Sequence, residues 1–328
     1  MTAFPQPVKQ GICRAAWTYG IGVMDMKTRR RADLCLLLCG VLIWFLADAG
    51  RVRAAAAEAL ILCGQSVIPA LFPFMAVSGL LVSLGFGEWV SPHLAGLMGP
   101  LFRLPGCASS ALLLGLVGGY PIGARTAAGL YRDGLLTREE AERLLTFCNN
   151  SNPVFLISVL GAGVFGNVRL GIWLWLIHVL SALLTGILFR GSGKRSSRRA
   201  ATSFPCRTVS LASAFVEAVR SALTGMLSVC AFVVLFYVLV SPLKTLGGQM
   251  GAFLVGTVEL FSLTPLLTPD RFGYILAAFC TGWGGLSVLC QTAAVLDESD
   301  LSLVPCFQGK LVQGLLSALL AALVVRLF

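Results

Sequence analysis

Polar groups and helix-breaking residues cluster at four places inside otherwise apolar stretches. Such groups could bind a solute or carry an ion. An amide or a carboxylate in hydrocarbon costs several kcal/mol unless it meets a partner, water or a solute. An ionisable residue inside a membrane therefore indicates function. The candidate residues for a substrate or gate site are Gly118, Gly119, Tyr120, Pro121, Gly123, Asn149, Asn150, Ser151, Asn152, Pro153, Glu259, Ser262, Ser287 and Gln291.

Some of these patterns also fit a structural role. The polar run 149–152 before Pro153 could be a helix end that is capped at the membrane surface. Glu259 could lie in a surface turn, because two prolines follow it closely. Arg125, just after the glycine-rich break, is expected to extend to the interface rather than to bind an anion.

Sets of residues for metal binding or covalent catalysis are missing from the sequence. Most of the 11 cysteines lie in apolar stretches, no Cys-x-x-Cys occurs, and the two histidines, His93 and His178, are far apart. Neither a zinc site nor a haem site has enough ligands, and no nucleophile with a base can be assembled. We therefore expect no metal, no cofactor and no enzymatic activity.

The composition indicates a membrane protein. Of the 328 residues, 57% are apolar and 12% are charged, whereas a soluble domain has about 25% charged residues. The net charge of +10 is concentrated in two basic clusters, 27–31 and 190–207. Both adjoin apolar stretches, as cytoplasmic flanks do, and could touch anionic lipid. Nucleic-acid binding would need basic residues spread over a folded face, so nucleic acid is not an expected partner.

The elements that must position the candidate residues are membrane helices, each of which needs about 20 apolar residues to cross a bilayer. Three uncharged stretches are short, namely 34–47, 245–258 and 311–325. We expect Lys310 and Arg326 to lengthen the last one by extending to the interface. The full set of uncharged stretches is 34–47, 59–87, 104–124, 144–168, 170–189, 221–243, 245–258, 272–296 and 311–325.

The first short stretch has two interpretations. The basic run 27–31, the apolar run 34–47 and the following Ala47-Asp48-Ala49 together resemble a cleaved signal sequence. Because the basic run lies far from Met1, we favour an uncleaved first helix.

Five apolar stretches separate the two basic clusters, although two cytoplasmic clusters require an even number of crossings. One stretch therefore does not simply cross. The candidates contain helix-breaking sequence: Pro69 with Pro73, the run 118–121, and the run 149–153. Backbone that leaves a helix inside a membrane must be buried in protein or line a watery cavity, so these breaks indicate a site.

The charged loop 125–143 contains one clear local signal. The sequence Thr137-Arg-Glu-Glu140 predicts a capping box, in which Thr137 accepts from the first turn and Glu140 reaches back. We expect it to start a short surface helix, and we assign it no chemistry.

One order of features occurs twice along the chain. A long apolar stretch, a break, a Phe-Cys pair with a second polar break and a plain stretch follow each other in 54–190 and again in 211–327. The Phe-Cys pair is 147–148 in the first half and 279–280 in the second. Paired repeats with interrupted helices predict a transporter site near the bilayer midplane.

Five motifs of the chain carry a resemblance to a known family. They are Pro69-Ala-Leu-Phe-Pro-Phe74, Gly118-Gly-Tyr-Pro-Ile-Gly-Ala-Arg125, Leu136-Thr-Arg-Glu-Glu-Ala-Glu-Arg-Leu-Leu145, Phe147-Cys-Asn-Asn-Ser-Asn-Pro-Val154 and Gly285-Leu-Ser-Val-Leu-Cys-Gln291. Together they resemble the YlbJ-type family of sporulation integral membrane proteins. The resemblance covers about residues 54–327 and implies the nucleoside recognition, or Gate, domain that concentrative nucleoside transporters and the ferrous-iron transporter FeoB share.

The expected fold is an all-α polytopic membrane protein with about 8–9 hydrophobic segments. The family resemblance further implies that the helices form two Gate-like repeats, in which some helices are interrupted or re-entrant. The expected divisions are an N-terminal basic flank (1–32), a first hydrophobic segment (33–53), a first Gate-like repeat (54–190), a basic cytoplasmic linker (191–210) and a second Gate-like repeat (211–328).

The resemblance also implies a function. Members of the family are polytopic proteins of spore-forming Firmicutes, are made in the mother cell, and are linked to moving dipicolinic acid across the outer forespore membrane. The implied partners are a small anionic solute and the lipid bilayer, with a second copy or other spore membrane proteins as further partners. A non-transporting scaffold of a spore membrane complex is the alternative. In the family a small polar residue usually follows Glu259, whereas Leu260 and Phe261 precede Ser262 here, so the role of Ser262 is open.

A mechanism follows from the breaks and the resemblance together. We expect the breaks at 118–123, 149–153, 256–265 and 281–287 to converge on a midplane cavity, where half-helix N-termini add partial positive charge. Glu259 is expected to couple transport to a proton or cation, since contact with the anion would be repulsive in a low dielectric. The amides expected to bond a carboxylate there belong to Asn149, Asn150, Asn152 and Gln291.

Overall fold

The computed structural model describes residues 26–191, 210–297 and 299–327, without the side chains of 26–31 and 327. Within these ranges every regular element is a helix. The α-helices are α1 (Met26–Ala47), α2 (Ala49–Leu62), α3 (Ile68–Ser83), α4 (Phe86–Leu97), α5 (Ala108–Gly118), α6 (Ile122–Arg132), α7 (Arg138–Leu145), α8 (Val168–Leu188), α9 (Leu211–Lys244), α10 (Gly248–Val258), α11 (Leu260–Leu263), α12 (Arg271–Trp283), α13 (Gly285–Leu296) and α14 (Val304–Val324).

The chain divides into two compact units, residues 1–52 and 53–328. The first unit contains α1, which covers the first predicted apolar stretch. Most of the predicted basic linker (192–209) and the N-terminal residues 1–25 lie outside the described residues. The expected domain divisions therefore stay predictions.

Five helices are long and apolar enough to cross a membrane, and four more apolar helices in the described ranges have 10–17 residues. The protein is thus an integral membrane protein of helical type, while the number of crossings stays a prediction. The long ones are Ala49–Ser83, Val168–Leu188, Leu211–Lys244, Arg271–Leu296 and Val304–Val324, and the shorter ones are Ala32–Ala47, Ala108–Gly118, Phe155–Val164 and Gly248–Val258.

The two prolines of the first long helix do not interrupt it, contrary to one of the sequence-based candidates. Helical structure continues from Ala49 to Ser83, with a π-helical segment at Cys63–Val67 just before Pro69. In a π turn each hydrogen bond joins residues five apart rather than four. This change of partners accommodates a proline, which has no N–H to donate. This stretch is therefore a continuous helix and not a break.

Two other apolar stretches are interrupted where the sequence contains its break motifs. The stretch 104–124 is divided because α5 ends at Gly118 and α6 begins at Ile122. The stretch 144–168 starts in the last residues of α7, passes through seven non-helical residues (146–152), and continues as a helix that is π-helical over Phe155–Val164. Neither stretch forms one membrane-length helix.

Helix α14 buries one face in the unit formed by residues 53–328. It packs against α7, α8 and α12, and α12 in turn packs against α8 and α10. Helix α3 packs against α9, and the π-helical segment Phe155–Val164 packs along α8. Residues from the two sides of the linker are thereby brought into one apolar core.

The predicted capping box is confirmed. Thr137 accepts a hydrogen bond from the backbone N–H of Glu140, and the Glu140 carboxylate accepts from the Thr137 N–H at 2.9 Å. It starts α7, whose last residue precedes the non-helical run 146–152. The cap therefore fixes the chain just before the second break.

Asp300, in the loop before α14, is a contact between the two halves of the chain. Its carboxylate accepts a hydrogen bond from the Tyr131 hydroxyl at 2.7 Å and lies 3.5 Å from Arg138. The hydrogen bond from Tyr131, assisted by the charge of Arg138, lowers the pKa of Asp300. These contacts join the end of α6 and the start of α7 to the loop before α14.

Candidate functional site

The first break, residues 119–121, turns the chain sharply between α5 and α6. Gly119 has a φ of 82°, a conformation that glycine adopts at no steric cost. A Cβ at this position would lie 2.9 Å from the Cβ of Asn152. The first break is therefore in direct contact with the second.

The second break carries four polar side chains, and all of them are buried. Asn149, Asn150, Ser151 and Asn152 are each at most 2% exposed. Asn152 caps the following helix, because its Oδ1 accepts from the Phe155 N–H at 2.8 Å. The capping role that the sequence offered is thus present at Asn152, and the whole run is covered by protein, while its depth in the membrane stays a prediction. Pro153 occupies the first helical position after it.

Three of these side chains bond to distant parts of the chain. Asn149 Nδ2 donates to Thr292 Oγ1 at 2.8 Å, on α13. Asn152 Nδ2 donates to the carbonyl of Ala70 at 2.7 Å, on α3. Asn150 Oδ1 accepts from Gln313 Nε2 at 2.9 Å, on α14. Buried amides are costly without partners, so these bonds fix the break relative to three helices.

Tyr120 connects the two breaks of the first half with the second half. Its hydroxyl donates to the carbonyl of Thr281 at 2.7 Å and accepts from Ser151 Oγ at 3.3 Å. The chain then turns at Gly284, with a φ of 87°, and a Cβ there would lie 3.2 Å from the Tyr120 hydroxyl. The break between α12 and α13 therefore touches the first break.

The two breaks of the second half also touch each other. A Cβ at Gly285 would lie 3.1 Å from the carbonyl of Val258 and 3.4 Å from the backbone nitrogen of Leu260. Those two residues flank Glu259, the single non-helical residue between α10 and α11. All four helix breaks are thus linked by direct contacts.

Glu259 caps the short helix α11. It is 1% exposed, and its carboxylate accepts from the backbone N–H groups of Phe261, at 3.1 Å, and of Ser262. The surface-turn interpretation does not hold for Glu259 itself, although the chain does turn at the surface near Asp270. Ser262 is buried too, and its Oγ has no hydrogen-bond partner.

Ser287 and Gln291 lie on one face of α13 and bond to each other, with Gln291 Nε2 3.4 Å from Ser287 Oγ. Both side chains are buried. Gln291 makes no hydrogen bond to the asparagine run in the described structure, where the α13 contact to Asn149 is made by Thr292 instead.

Gly123 permits a close approach of three backbone segments. Its Cα lies beside the carbonyl of Cys148, and a Cβ there would overlap that oxygen. Gly115 of α5 meets the same carbonyl from the other side. These glycines therefore hold the start of the second break against the two helices of the first.

Lys310 is the largest departure from the sequence-based expectation. Its side chain is 1% exposed, so the expectation that it extends to the interface is wrong. Its Nζ donates to the carbonyl of Asn149 at 2.8 Å and to Gln313 Oε1 at 2.8 Å. Helix α14 begins at Val304, six residues before Lys310, which places the lysine about 9 Å along the helix.

His178 and Gln313 were also missed as cluster residues. His178 Nε2 accepts from the Ser151 N–H at 3.1 Å. For Gln313 the sequence does contain a signal, namely a stripe of small and polar residues on one face of α14, spaced as on a helix. Its members are Gly309, Lys310, Gln313, Gly314 and Ser317.

A cavity of about 790 Å³ lies beside the first break. Arg125 lines it and donates to Ser221 Oγ on α9 at 3.0 Å, so this guanidinium bonds to a neighbouring helix. Ser78 also lines the cavity, and its Oγ lies 2.9 Å from the position that a Cβ of Gly118 would take. The cavity wall therefore reaches the end of α5.

Removing the Tyr120 hydroxyl is expected to loosen the contact between the two halves. Tyr120→Phe leaves the carbonyl of Thr281 without this donor in a buried site, which costs about 1–3 kcal/mol. Thermal unfolding in detergent measures the loss. Tyr131→Phe, which removes an exposed hydroxyl from Asp300, is the matched control and should change stability by less than about 0.5 kcal/mol. Equal melting temperatures for the two variants would contradict the expectation.

The fold and the buried cluster define a polytopic helical membrane protein whose interrupted helices meet in its interior. Residues 65–169, which contain the first two breaks, match the Gate family, described as nucleoside recognition. The chain is 31% identical over 301 residues to the sporulation integral membrane protein YlbJ of Bacillus subtilis (strain 168), covering 79% of this chain and 74% of that protein. The chain belongs to the YlbJ family of sporulation integral membrane proteins. No solved structure matches it.

Proposed function

We propose that this protein is a sporulation membrane transporter, or gated pathway, for a small anionic solute. In this proposal the solute is dipicolinic acid and the membrane is the outer forespore membrane of the mother cell. The observation that carries the proposal is the direct contact of four helix breaks around buried amide, hydroxyl and ammonium groups. The proposal involves no covalent chemistry and no cofactor.

Helix breaks are useful for transport because they free backbone groups. At each break, N–H and C=O groups leave the helical ladder, and inside a membrane they must meet protein, water or a solute. Breaks that come from different parts of the chain and face one another are characteristic of transporter sites. In the proposal, residues 54–190 and 211–328 are the two repeats that contribute these breaks.

The cavity beside the first break supports a route to the site. Its volume of about 790 Å³ is in the range of small-molecule sites, about 300–1,000 Å³. Its lining combines hydroxyl groups with charged residues, among them Ser110, Thr126 and Arg125. Ser78 of this lining lies beside Gly118, the last residue of α5 before the first break.

The decisive experiment is uptake of dipicolinate into proteoliposomes that contain the purified full chain. Asn150→Ala removes the acceptor for Gln313 and the donor to the carbonyl of Phe147, and we expect it to lower uptake about tenfold or more. The matched control is Asn167→Ala, because Asn167 is an exposed cap of α8 outside the cluster. Its uptake should equal that of the unmodified protein.

Two outcomes would contradict the proposal. If the unmodified protein gives no uptake above empty liposomes, while spores that lack it fail to mature, the scaffold function is favoured. If a neutral nucleoside is taken up and dipicolinate is not, the solute class is wrong. Normal uptake by Asn150→Ala at equal protein level removes the asparagine run from the pathway.

A further inference from the structure

The buried cluster contains a basic side chain, that of Lys310, without a carboxylate partner. Lys310 Nζ bonds to two neutral oxygens, the carbonyl of Asn149 and Gln313 Oε1. Among the described residues, no aspartate or glutamate forms an ion pair with Lys310. An unpaired charge is strongly unfavourable in a buried site. A carboxylate that reached Lys310 would therefore stabilise the charged form of its amine.

The lysine retains capacity for one more interaction. An ammonium group has three N–H donors, and two of them point to Asn149 and Gln313. The group lies 5.1 Å from the centre of the Tyr120 ring, a distance at which a ring face attracts a cation. Tyr120 belongs to the first break and Asn149 to the second, so Lys310 lies where the breaks meet.

His178 adds an unpartnered donor next to the same segment. Its Nε2 accepts from the Ser151 N–H, so in the neutral ring the proton is on Nδ1. This Nδ1 is buried and has no hydrogen-bond partner, and the His178 side chain is 1% exposed. A buried N–H donor without a partner needs an acceptor, and an anion supplies one.

We propose that Lys310 is the residue that selects the charge of the solute, by pairing with a carboxylate that reaches the cluster where the helix breaks meet. This inference rests on the transport function proposed above and names the residue that makes the site specific for anions. The carboxylate completes the ion pair and takes the third ammonium N–H. His178, whose Nε2 accepts from Ser151 of the second break, offers its unpartnered Nδ1–H as a further donor for an anion that enters the cluster. Asn149 Oδ1 also lacks a partner, and it accepts a hydrogen bond from water that enters together with the carboxylate.

The test measures binding of dipicolinate and of its neutral diamide to the purified full chain in detergent, by calorimetry. We expect Lys310→Met to lose affinity for the dicarboxylate by at least about 30-fold and to retain its affinity for the diamide. Lys310→Arg, which keeps the charge, should retain most of the preference for the dicarboxylate. Lys244→Met is the matched control, because Lys244 also lies over a tyrosine ring, 3.1 Å from the centre of Tyr237, outside the cluster.

A second variant keeps the proposal testable if Lys310→Met does not fold. Gln313→Glu places a carboxylate at the atom that already lies 2.8 Å from Lys310 Nζ, and so supplies the missing partner from within the chain. The variant also loses the hydrogen bond that Gln313 Nε2 donates to Asn150 Oδ1, so its melting temperature reflects one ion pair gained and one amide bond lost. We expect it to fold, to bind dipicolinate at least about tenfold more weakly and to retain its affinity for the diamide. Normal dipicolinate binding by this variant would overturn the role of Lys310.

The outcomes separate this inference from the proposed function. If the unmodified protein transports dipicolinate, and Lys310→Met and Gln313→Glu both bind it normally, only the role of Lys310 is overturned. If the unmodified protein neither binds nor transports dipicolinate, both proposals fail. Loss of dicarboxylate binding with retained diamide binding supports both.

Discussion

Gly123→Ala is expected to prevent the second helix break from docking against α5 and α6. The added Cβ would overlap the carbonyl of Cys148, which is backbone and cannot rotate away. Gly115 closes the other side, with its Cα 3.1 Å from the position of that Cβ. Overpacking of this kind costs about 3 kcal/mol or more when neighbours cannot move.

The same helix offers a matched control. Gly129 lies six residues further along α6, and a Cβ there meets no atom within 4 Å. Gly129→Ala should leave stability unchanged or raise it by up to about 1 kcal/mol, because alanine has the higher helix propensity. Melting temperatures of both variants in detergent, with dipicolinate uptake beside them, check the prediction. Similar stability of the two variants would show that the backbone segments are not held as closely as described.

The second large effect concerns Glu259. Glu259→Ala leaves two buried N–H groups, those of Phe261 and Ser262, without their acceptor. Each unsatisfied buried donor costs about 1–3 kcal/mol, so the loss of stability should be about 2–6 kcal/mol. Glu259→Gln keeps one side-chain oxygen as an acceptor and should lose clearly less.

Glu259→Gln also separates capping from ion coupling. The variant cannot release a proton or hold a cation by charge, so if Glu259 couples transport it should retain solute exchange and lose gradient-driven accumulation. Asp270→Asn is the matched control, because Asp270 caps α12 from an exposed position and accepts from the Gly273 N–H at 2.7 Å. Asp270→Asn should change neither solute exchange nor gradient-driven accumulation. Gradient-driven accumulation by a folded Glu259→Gln at the unmodified rate would limit Glu259 to its role as a cap.

The sequence alone determined the features that depend on local backbone chemistry. A shortage of charge predicts membrane helices because hydrocarbon excludes charged groups. The Gly-Gly-Tyr-Pro run ends a helix because glycine and proline favour non-helical geometry there, and α5 does end at Gly118. The capping box at Thr137 was equally predictable, since all of its hydrogen bonds lie within four residues.

The tertiary structure decided which partner each polar group has. Lys310 was expected at the membrane surface, yet it bonds to Asn149, 161 residues away in the sequence. Pro69 was a candidate break, yet a preceding π turn keeps that helix continuous. The physical reason is that backbone preferences act over a few residues, whereas the partner of a buried ammonium or amide depends on which helix faces pack together. That packing places Lys310 where the helix breaks meet.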